Sequence, residues 1–267
     1  MLAAAVQMSS GPDKERNLEQ AERLIREAAD LGAELVVLPE VFNWRGRKPE
    51  QVQAAEDLGG PSLGRMALLA RELRLYLVAG SITERIPGDP KAYNTSVLFG
   101  PDGAMFGFYR KIHLFDVELT GRVVTRESDT KLAGSDVTCV QTPVATFGLS
   151  VCYDLRFPEL YRKLAALGAT VISIPSAFTY PTGEAHWEIL VRARAIENQA
   201  FIVAPGQFGN NVYGFRDYGN SMIVDPWGRV LAQASDDRAE VIVAELDFDE
   251  LVKVRRELPS LSHRRLF

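Results

Sequence analysis

Three segments of this 267-residue chain recur in the same order about half a chain apart. Leu31-Gly32-Ala33-Glu34-Leu35-Val36-Val37-Leu38-Pro39 resembles Leu167-Gly168-Ala169-Thr170-Val171-Ile172-Ser173-Ile174-Pro175, 136 residues later. Leu77-Val78-Ala79 resembles Ile202-Val203-Ala204 at an offset of 125, and Tyr93, Ser96, Pro101 and Gly103 match Tyr218, Ser221, Pro226 and Gly228 at that same offset. Matches in a shared order constrain the fold strongly, because both halves must then bury their apolar faces in the same way. Each half reads helix, strand, helix, strand, hairpin, which predicts a sheet with helices on one face. The two bare sheet faces are left to pack on each other. The expected fold is therefore α/β, a four-layer αββα sandwich built from two similar halves.

The local signals agree with this plan. Asp13 is a plausible N-cap for a helix from about Lys14 to Leu31, with Leu18, Ala21, Ile25 and Ala28 as its apolar stripe and Gly32 as its stop. Residues 33–40 read as a buried strand ending in Pro39-Glu40, 63–73 as a helix, and 75–80 and 93–99 as strands. Pro101-Asp102-Gly103 is a turn that returns residues 104–109 toward Arg110-Lys111. Residues 112–135 are polar with little periodicity and read as a long loop, a common place for function. Residues 146–152 read as a strand with Cys152 at its end. Pro158 opens a helix to about Leu167, and 170–174 is the next strand.

Composition excludes several kinds of function. Apolar residues make up 46% and charged residues 24%, as in an ordinary folded protein of ample size for a core. Thirty basic against 35 acidic residues give a net charge of −5, which argues against a nucleic-acid partner. Two cysteines, Cys139 and Cys152, cannot build a disulfide framework, and His113, His186 and His263 form no metal-ligand motif. No metal or cofactor is expected. GxGxxG, P-loop and GxSxG patterns are absent. The apolar stretch of residues 1–8 lacks a basic leader and reads as a strand, and no run of 18 apolar residues exists. The expectation is a protein of the reducing cytoplasm, with free thiols and no membrane partner.

Chemistry must then come from carboxylate, lysine, arginine or thiol. Cys152 ends an apolar strand just before a helix N-terminus, where the helix dipole and backbone N–H groups favour a thiolate. The alternative is a buried structural cysteine, the commoner fate and the reading adopted for Cys139. Glu40 ends a buried strand, where a carboxylate is either a partly desolvated base or a solvated strand-end charge. Lys111 follows the residue 104–109 strand and is either an oxyanion stabiliser or a surface lysine.

Taken together, Leu38-Pro39-Glu40, Tyr109-Arg110-Lys111-Ile112-His113-Leu114-Phe115-Asp116 and Val151-Cys152-Tyr153-Asp154-Leu155-Arg156-Phe157-Pro158-Glu159 resemble the signatures of the nitrilase superfamily of carbon–nitrogen hydrolases. The likeness continues through residues 182–188, 192–199 and Asp225-Pro226-Trp227-Gly228. The resemblance implies one carbon–nitrogen hydrolase domain over residues 1–267. It implies Glu40 as general base, Lys111 as oxyanion stabiliser, Cys152 as nucleophile, Glu127 as a second glutamate orienting Lys111 or substrate, and the Tyr153 N–H as a second oxyanion donor. The reaction implied is amide hydrolysis through a Cys152 thioester with release of ammonia and no histidine, His113 being a structural neighbour.

Residues 180–188, with Arg255-Arg256-Glu257-Leu258-Pro259 and His263-Arg264-Arg265, are similar to the branch acting on deaminated glutathione, whose relatives include ω-amidases acting on α-ketoglutaramate. Asn220 departs from that branch, which typically has histidine there, and bears on specificity. Such substrates carry carboxylates, which arginine binds in bidentate fashion. Arg156 is the first candidate and Arg194 the second, with Glu184 and His186 as further substrate contacts. A nitrilase or N-carbamoyl amino acid hydrolase of the same superfamily, a cysteine enzyme with a histidine base, and a catalytically silent interaction domain are the alternatives. The resemblance also implies a homodimer or higher homo-oligomer, through the helices after the nucleophile and the basic C-terminal segment.

Overall fold

A computed structural model describes residues 1–119 and 123–266. It contains two sheets. The first runs, edge to edge, through Glu240–Glu245, Leu2–Gln7, Leu35–Val37, Tyr76–Val78, Ala92–Phe99 and Ile82–Arg85, with Met105–Arg110 paired to Ala92–Phe99. The second runs through Val230–Gln233, Met222–Val224, Phe201–Ala204, Val171–Ser173, Thr146–Leu149 and Cys139–Gln141. Each has three parallel strands followed by antiparallel ones: 2–7, 35–37 and 76–78 in the first, 146–149, 171–173 and 201–204 in the second. The repeated segments occupy equivalent strands, as the sequence repeat requires.

Alternation along the first strand sets the layers. Ala4, Val6 and Met8 join Leu18, Ala21, Leu24 and Ile25 of the Lys14–Asp30 helix and Leu63, Met66 and Leu69 of the Pro61–Leu73 helix in one core. Ala3 and Ala5 face the other way and join Phe147, Leu149, Val171 and Ile202 of the second sheet. Leu2–Gln7 lies directly against Phe201–Ala204 and Met222–Val224. The helices Pro158–Ala166 and Tyr180–Asn198 close the far side. The order helix, sheet, sheet, helix is the expected αββα sandwich.

Helix ends follow local chemistry. Asp13 accepts a hydrogen bond from the Arg16 N–H at 3.1 Å, and Gly32 takes the left-handed conformation (φ +89°) that ends the helix. The main departure from expectation lies in residues 112–135. This stretch holds a hairpin, Asp116–Leu119 with Val123–Arg126, and a short 3₁₀ turn, Glu127–Asp129; residues 120–122 within it lie outside the described residues. Its strands are four residues long and half-exposed, too short for a period-2 signal to stand out. The strand predicted over 146–152 stops at Leu149, and Cys152 instead opens a 3₁₀ turn, Cys152–Arg156. Among the described residues, no helix is long and apolar enough to cross a membrane.

The C-terminal segment is tied back into the fold. Glu240–Glu245 pairs antiparallel with Leu2–Gln7, and Arg255 donates to the Ala169 and Gln199 carbonyls at 2.8 and 3.0 Å. Gly80 marks the tightest point beside the turn that carries Glu40. It sits at φ +44°, and a Cβ there would lie 2.0 Å from the Pro39 carbonyl oxygen. Backbone on both sides leaves nothing to yield cheaply. Gly80→Ala should cost about 1–3 kcal/mol, read as a fall of several degrees in Tm by thermal unfolding.

Candidate active site

Loops at the strand ends of both sheets line one cleft of about 990 Å³, counting its open mouth. Glu40, Lys111, Glu127, Cys152, Tyr153 and Arg156 all line it. They come from four separate segments, Cys152, Tyr153 and Arg156 sharing one turn, so only the sandwich brings them together.

Glu40 sits in the turn after Leu35–Val37 and is buried. Its carbonyl accepts from Gln207 Nε2 at 2.8 Å, and the next N–H, of Val41, donates to Ser81 Oγ at 2.9 Å. Lys111 follows the strand Met105–Arg110, and its N–H donates to the Asn94 carbonyl at 2.8 Å. Lys111 Nζ donates to Glu40 Oε1 and to Glu127 Oε2, both at 2.9 Å. Glu127 Oε2 also accepts from the Phe115 N–H at 2.8 Å. Sequence reasoning missed Asn94, whose Nδ2 reaches Glu40 Oε1 at 2.8 Å and Glu127 Oε1 at 3.1 Å. It lies in a polar run, Asn94-Thr95-Ser96, within the strand Ala92–Phe99, so nothing in the sequence set it apart from its neighbours.

Charge explains why this cluster can be buried. Burial alone would push the Lys111 ammonium down, but the Glu127 and Glu40 carboxylates outweigh it and hold it well above the ordinary lysine value. Burial likewise pushes Glu127 up, and Lys111 reverses this to hold it below the usual carboxylate range. The ammonium has three donors, and two are used on carboxylates. The third is free to meet a developing oxyanion.

Cys152 stands 6% exposed with φ +48°, a strained conformation for a non-glycine residue. Its N–H donates to the Pro175 carbonyl at 2.9 Å, and its thiol lies within the electrostatic influence of Glu40 and Lys111. Asp154 holds the turn: it accepts from the Val151 N–H, the Tyr109 hydroxyl and the His113 N–H at 2.8, 2.8 and 3.1 Å. Here the pull of a helix N-terminus toward thiolate is outweighed. Burial pushes the Cys152 thiol well up and Glu40 adds to this, against the opposing pull of Lys111. The residue opens a buried 3₁₀ turn beside a carboxylate rather than an exposed helix N-terminus.

The remaining candidates separate. Arg156 lines the cleft over the Tyr153 and Phe178 rings, at 5.8 and 5.3 Å, and is 3.2 Å from His186 Nδ1. Arg194 does not line it. Arg194 is buried and donates to the Leu155 carbonyl at 3.0 and 2.7 Å and to Glu197 at 2.7 Å, which ties the Cys152 turn to the Tyr180–Asn198 helix. Glu184 and His186 are exposed on that same helix, outside the cleft wall. Asn220 is also outside it; φ +53° suits asparagine, and its carbonyl accepts from Trp187 Nε1 at 2.8 Å. None of the three histidines lines the cleft. His113 is bound to Asp154 at 2.7 Å and stacked on Phe157. Cys139 is half-buried in an edge strand. Among the described residues, no group of three or more His, Cys, Asp or Glu side chains could hold a metal ion. Trp44, Arg45, Lys131 and Tyr213, which sequence reasoning did not single out, complete the wall.

Comparison with known proteins is consistent with this geometry. Residues 2–256 match the carbon-nitrogen hydrolase family model. The chain is 44% identical to deaminated glutathione amidase of Homo sapiens, over 99% of this chain and 82% of that one. It is 39% identical to omega-amidase NIT2 of Xenopus tropicalis, over 97% and 93% respectively. The crystal structure of Saccharomyces cerevisiae Nit3, a member of branch 10 of the nitrilase superfamily, superposes with a TM-score of 0.90 at 35% identity, over 100% of this chain and 97% of that one. The repeat-built sandwich, the clustered Glu40, Lys111 and Cys152, and a match spanning nearly the whole sequence have one conclusion: this chain belongs to the carbon-nitrogen hydrolase family.

Proposed function

We propose that this protein is a thiol-dependent amidase that hydrolyses the amide of a small carboxylate-bearing substrate, with deaminated glutathione as the substrate and residues 1–267 acting as one catalytic domain. The observation that carries the reading is Cys152 lining one cleft with Glu40, Lys111 and Glu127, while Lys111 Nζ is held 2.9 Å from Glu40 and from Glu127. The names of the relatives support the substrate class.

Glu40 takes the Sγ proton as the sulfur attacks the amide carbon. A base beside the thiol is needed because burial pushes the thiol's pKa well up. Lys111 and the Tyr153 N–H stabilise the tetrahedral oxyanion. Collapse breaks the carbon–nitrogen bond, and protonated Glu40 gives its proton to the departing nitrogen. Glu40 then takes a proton from water, which attacks the thioester; the second intermediate releases the carboxylic acid and Cys152 regains its proton. The leaving group depends on the substrate. An ω-amide such as α-ketoglutaramate releases ammonia, as expected from the sequence, whereas deaminated glutathione releases the amine of cysteinylglycine. Glu127 and Asn94 keep Lys111 and Glu40 in place. A histidine base has no support, since no histidine lines the cleft.

Arg156 is the proposed carboxylate contact, because it lines the cleft with no acidic partner within 4.0 Å among the described residues. The same reading makes the protein a cytoplasmic homo-oligomer. Exposed Leu167, Ile189, Ile196 and Trp227 supply apolar surface for contacts between copies, and light scattering tests the state.

Cys152→Ala should lower kcat by about 10³-fold or more on every amide tested, given the losses typical of a removed nucleophile. Normal turnover would overturn the reading. Glu40→Gln should abolish turnover and also shift Cys152 ionisation to lower pH. The carboxylate opposes a nearby thiolate, so removing it favours the anion while Lys111 remains; ultraviolet thiolate absorbance against pH reads the shift. Arg156→Ala should raise KM about 10- to 100-fold for acidic amides and leave a neutral aliphatic amide nearly unaffected, measured by steady-state product release.

A further inference from the structure

Five cationic side chains line the cleft: Arg45, Lys48, Lys111, Lys131 and Arg156. Three have acidic partners. Arg45 is paired with Asp217, Lys48 with Asp129 at 2.9 Å, and Lys111 with Glu40 and Glu127. Lys131 and Arg156 have no carboxylate within 4.0 Å among the described residues.

Lys131 is the more telling of the two, because it is buried, only 4% exposed. Its Nζ donates to Gln51 Oε1 at 3.2 Å and to Thr83 Oγ1 at 3.0 Å, both neutral oxygens. An ammonium has three donors, so one remains for a ligand. Its backbone N–H donates to the Glu127 carbonyl at 2.9 Å, which fixes it to the same turn as the catalytic cluster. Burying a lysine without a carboxylate is costly, and the cost is unexplained by the fold itself. Glu127 and Glu40 attract it at longer range and Lys111 repels it, yet burial prevails and lowers its pKa to about 8. A bound carboxylate would supply the missing partner.

Lys131 and Arg156 stand on different walls. Lys131 is anchored to Thr83 of the first sheet and to Gln51, which in turn donates to the Tyr213 hydroxyl at 2.6 Å. Arg156 leans on Tyr153 and Phe178, beside the nucleophile turn of the second half. We infer that Lys131 is a specificity-determining residue that binds a substrate carboxylate, and that with Arg156 it selects amides carrying two carboxylates over those carrying one. The inference rests on the amidase reading above and sharpens it: deaminated glutathione carries two carboxylates, α-ketoglutaramate one.

Two measurements test this. In the unaltered protein, Lys131 is charged below about pH 8 and neutral above it. Its kcat/KM for deaminated glutathione should therefore fall as pH rises through that value, relative to a neutral aliphatic amide measured in parallel. Identical alkaline profiles for the two substrates would overturn the role without any variant being made. In Lys131→Met, KM for deaminated glutathione should rise about 10- to 100-fold, the loss expected for a hydrogen bond to a charged group. The neutral amide should change less than about threefold, and the relative fall above pH 8 should vanish. Equal loss on both substrates would overturn the specificity role, making Lys131 instead a counter-charge to Glu40 and Glu127.

Calorimetric binding of deaminated glutathione to Cys152→Ala, with and without Lys131→Met, separates the two readings. Equal affinities overturn the Lys131 site even if the substrate is right. Tight, Lys131-dependent binding without turnover by the unaltered protein upholds the site and overturns deaminated glutathione as the substrate.

Discussion

A buried ammonium shared by two carboxylates is the interaction on which the rest of this structure depends. Lys111 lies 2.9 Å from both Glu40 and Glu127, almost without solvent. Leaving one member of such a cluster unpaired costs about 3–5 kcal/mol. The surroundings are arranged to prevent that. Asn94 bridges the two carboxylates, the Phe115 N–H caps Glu127, and Gln207 grips the Glu40 backbone. The cluster also reaches Cys152, whose thiol is pushed well up first by burial and then by Glu40, against the pull of Lys111.

That cluster needs the sandwich. Glu40, Asn94, Lys111 and Glu127 come from the first half, whereas Cys152 comes from the second. The sheets meet through small side chains on the central strand, Ala3 and Ala5, which allow close approach to the second sheet. Polar ties then fix the alignment near the cleft. Gln7 Oε1 accepts from Ser221, Gln207 is bonded to Ser10 and Glu40, and Arg45 is paired with Asp217. All of these join the two halves, and all are buried or nearly so. Buried polar contacts of this kind penalise any sliding of one sheet over the other, because displacement would leave them unsatisfied.

The nucleophile turn is fixed by a second buried acid. Asp154 accepts from the Val151 N–H on one side and from Tyr109 and His113 on the other. Tyr109 belongs to the strand that leads to Lys111. The same strand therefore positions the ammonium and, through its tyrosine, supports the turn that holds the sulfur at φ +48°. Strain at Cys152 persists because these contacts over-determine the backbone. The cleft wall beyond this machinery is cationic, and its charges divide into those paired within the protein and those left for a ligand.

Periodicity and repetition within the sequence determined the architecture. Two copies of one strand–helix pattern admit few arrangements, and the placing of Glu40, Lys111 and Cys152 just after strands follows from local patterning, though the strand before Cys152 ends three residues sooner than that patterning suggests. The short hairpin over residues 116–126 did not show itself, since four-residue half-exposed strands carry too weak an alternation. Asn94 and Lys131 were equally hidden, because a lone Asn or Lys looks the same in sequence whether it faces solvent or a buried cluster. Arg156 and Arg194 were indistinguishable as candidates until the fold spent one on the Leu155 carbonyl and left the other on the cleft wall. Sequence fixes residue type and local spacing, while burial and the distance between charges far apart in the chain are set only when the two sheets close on each other.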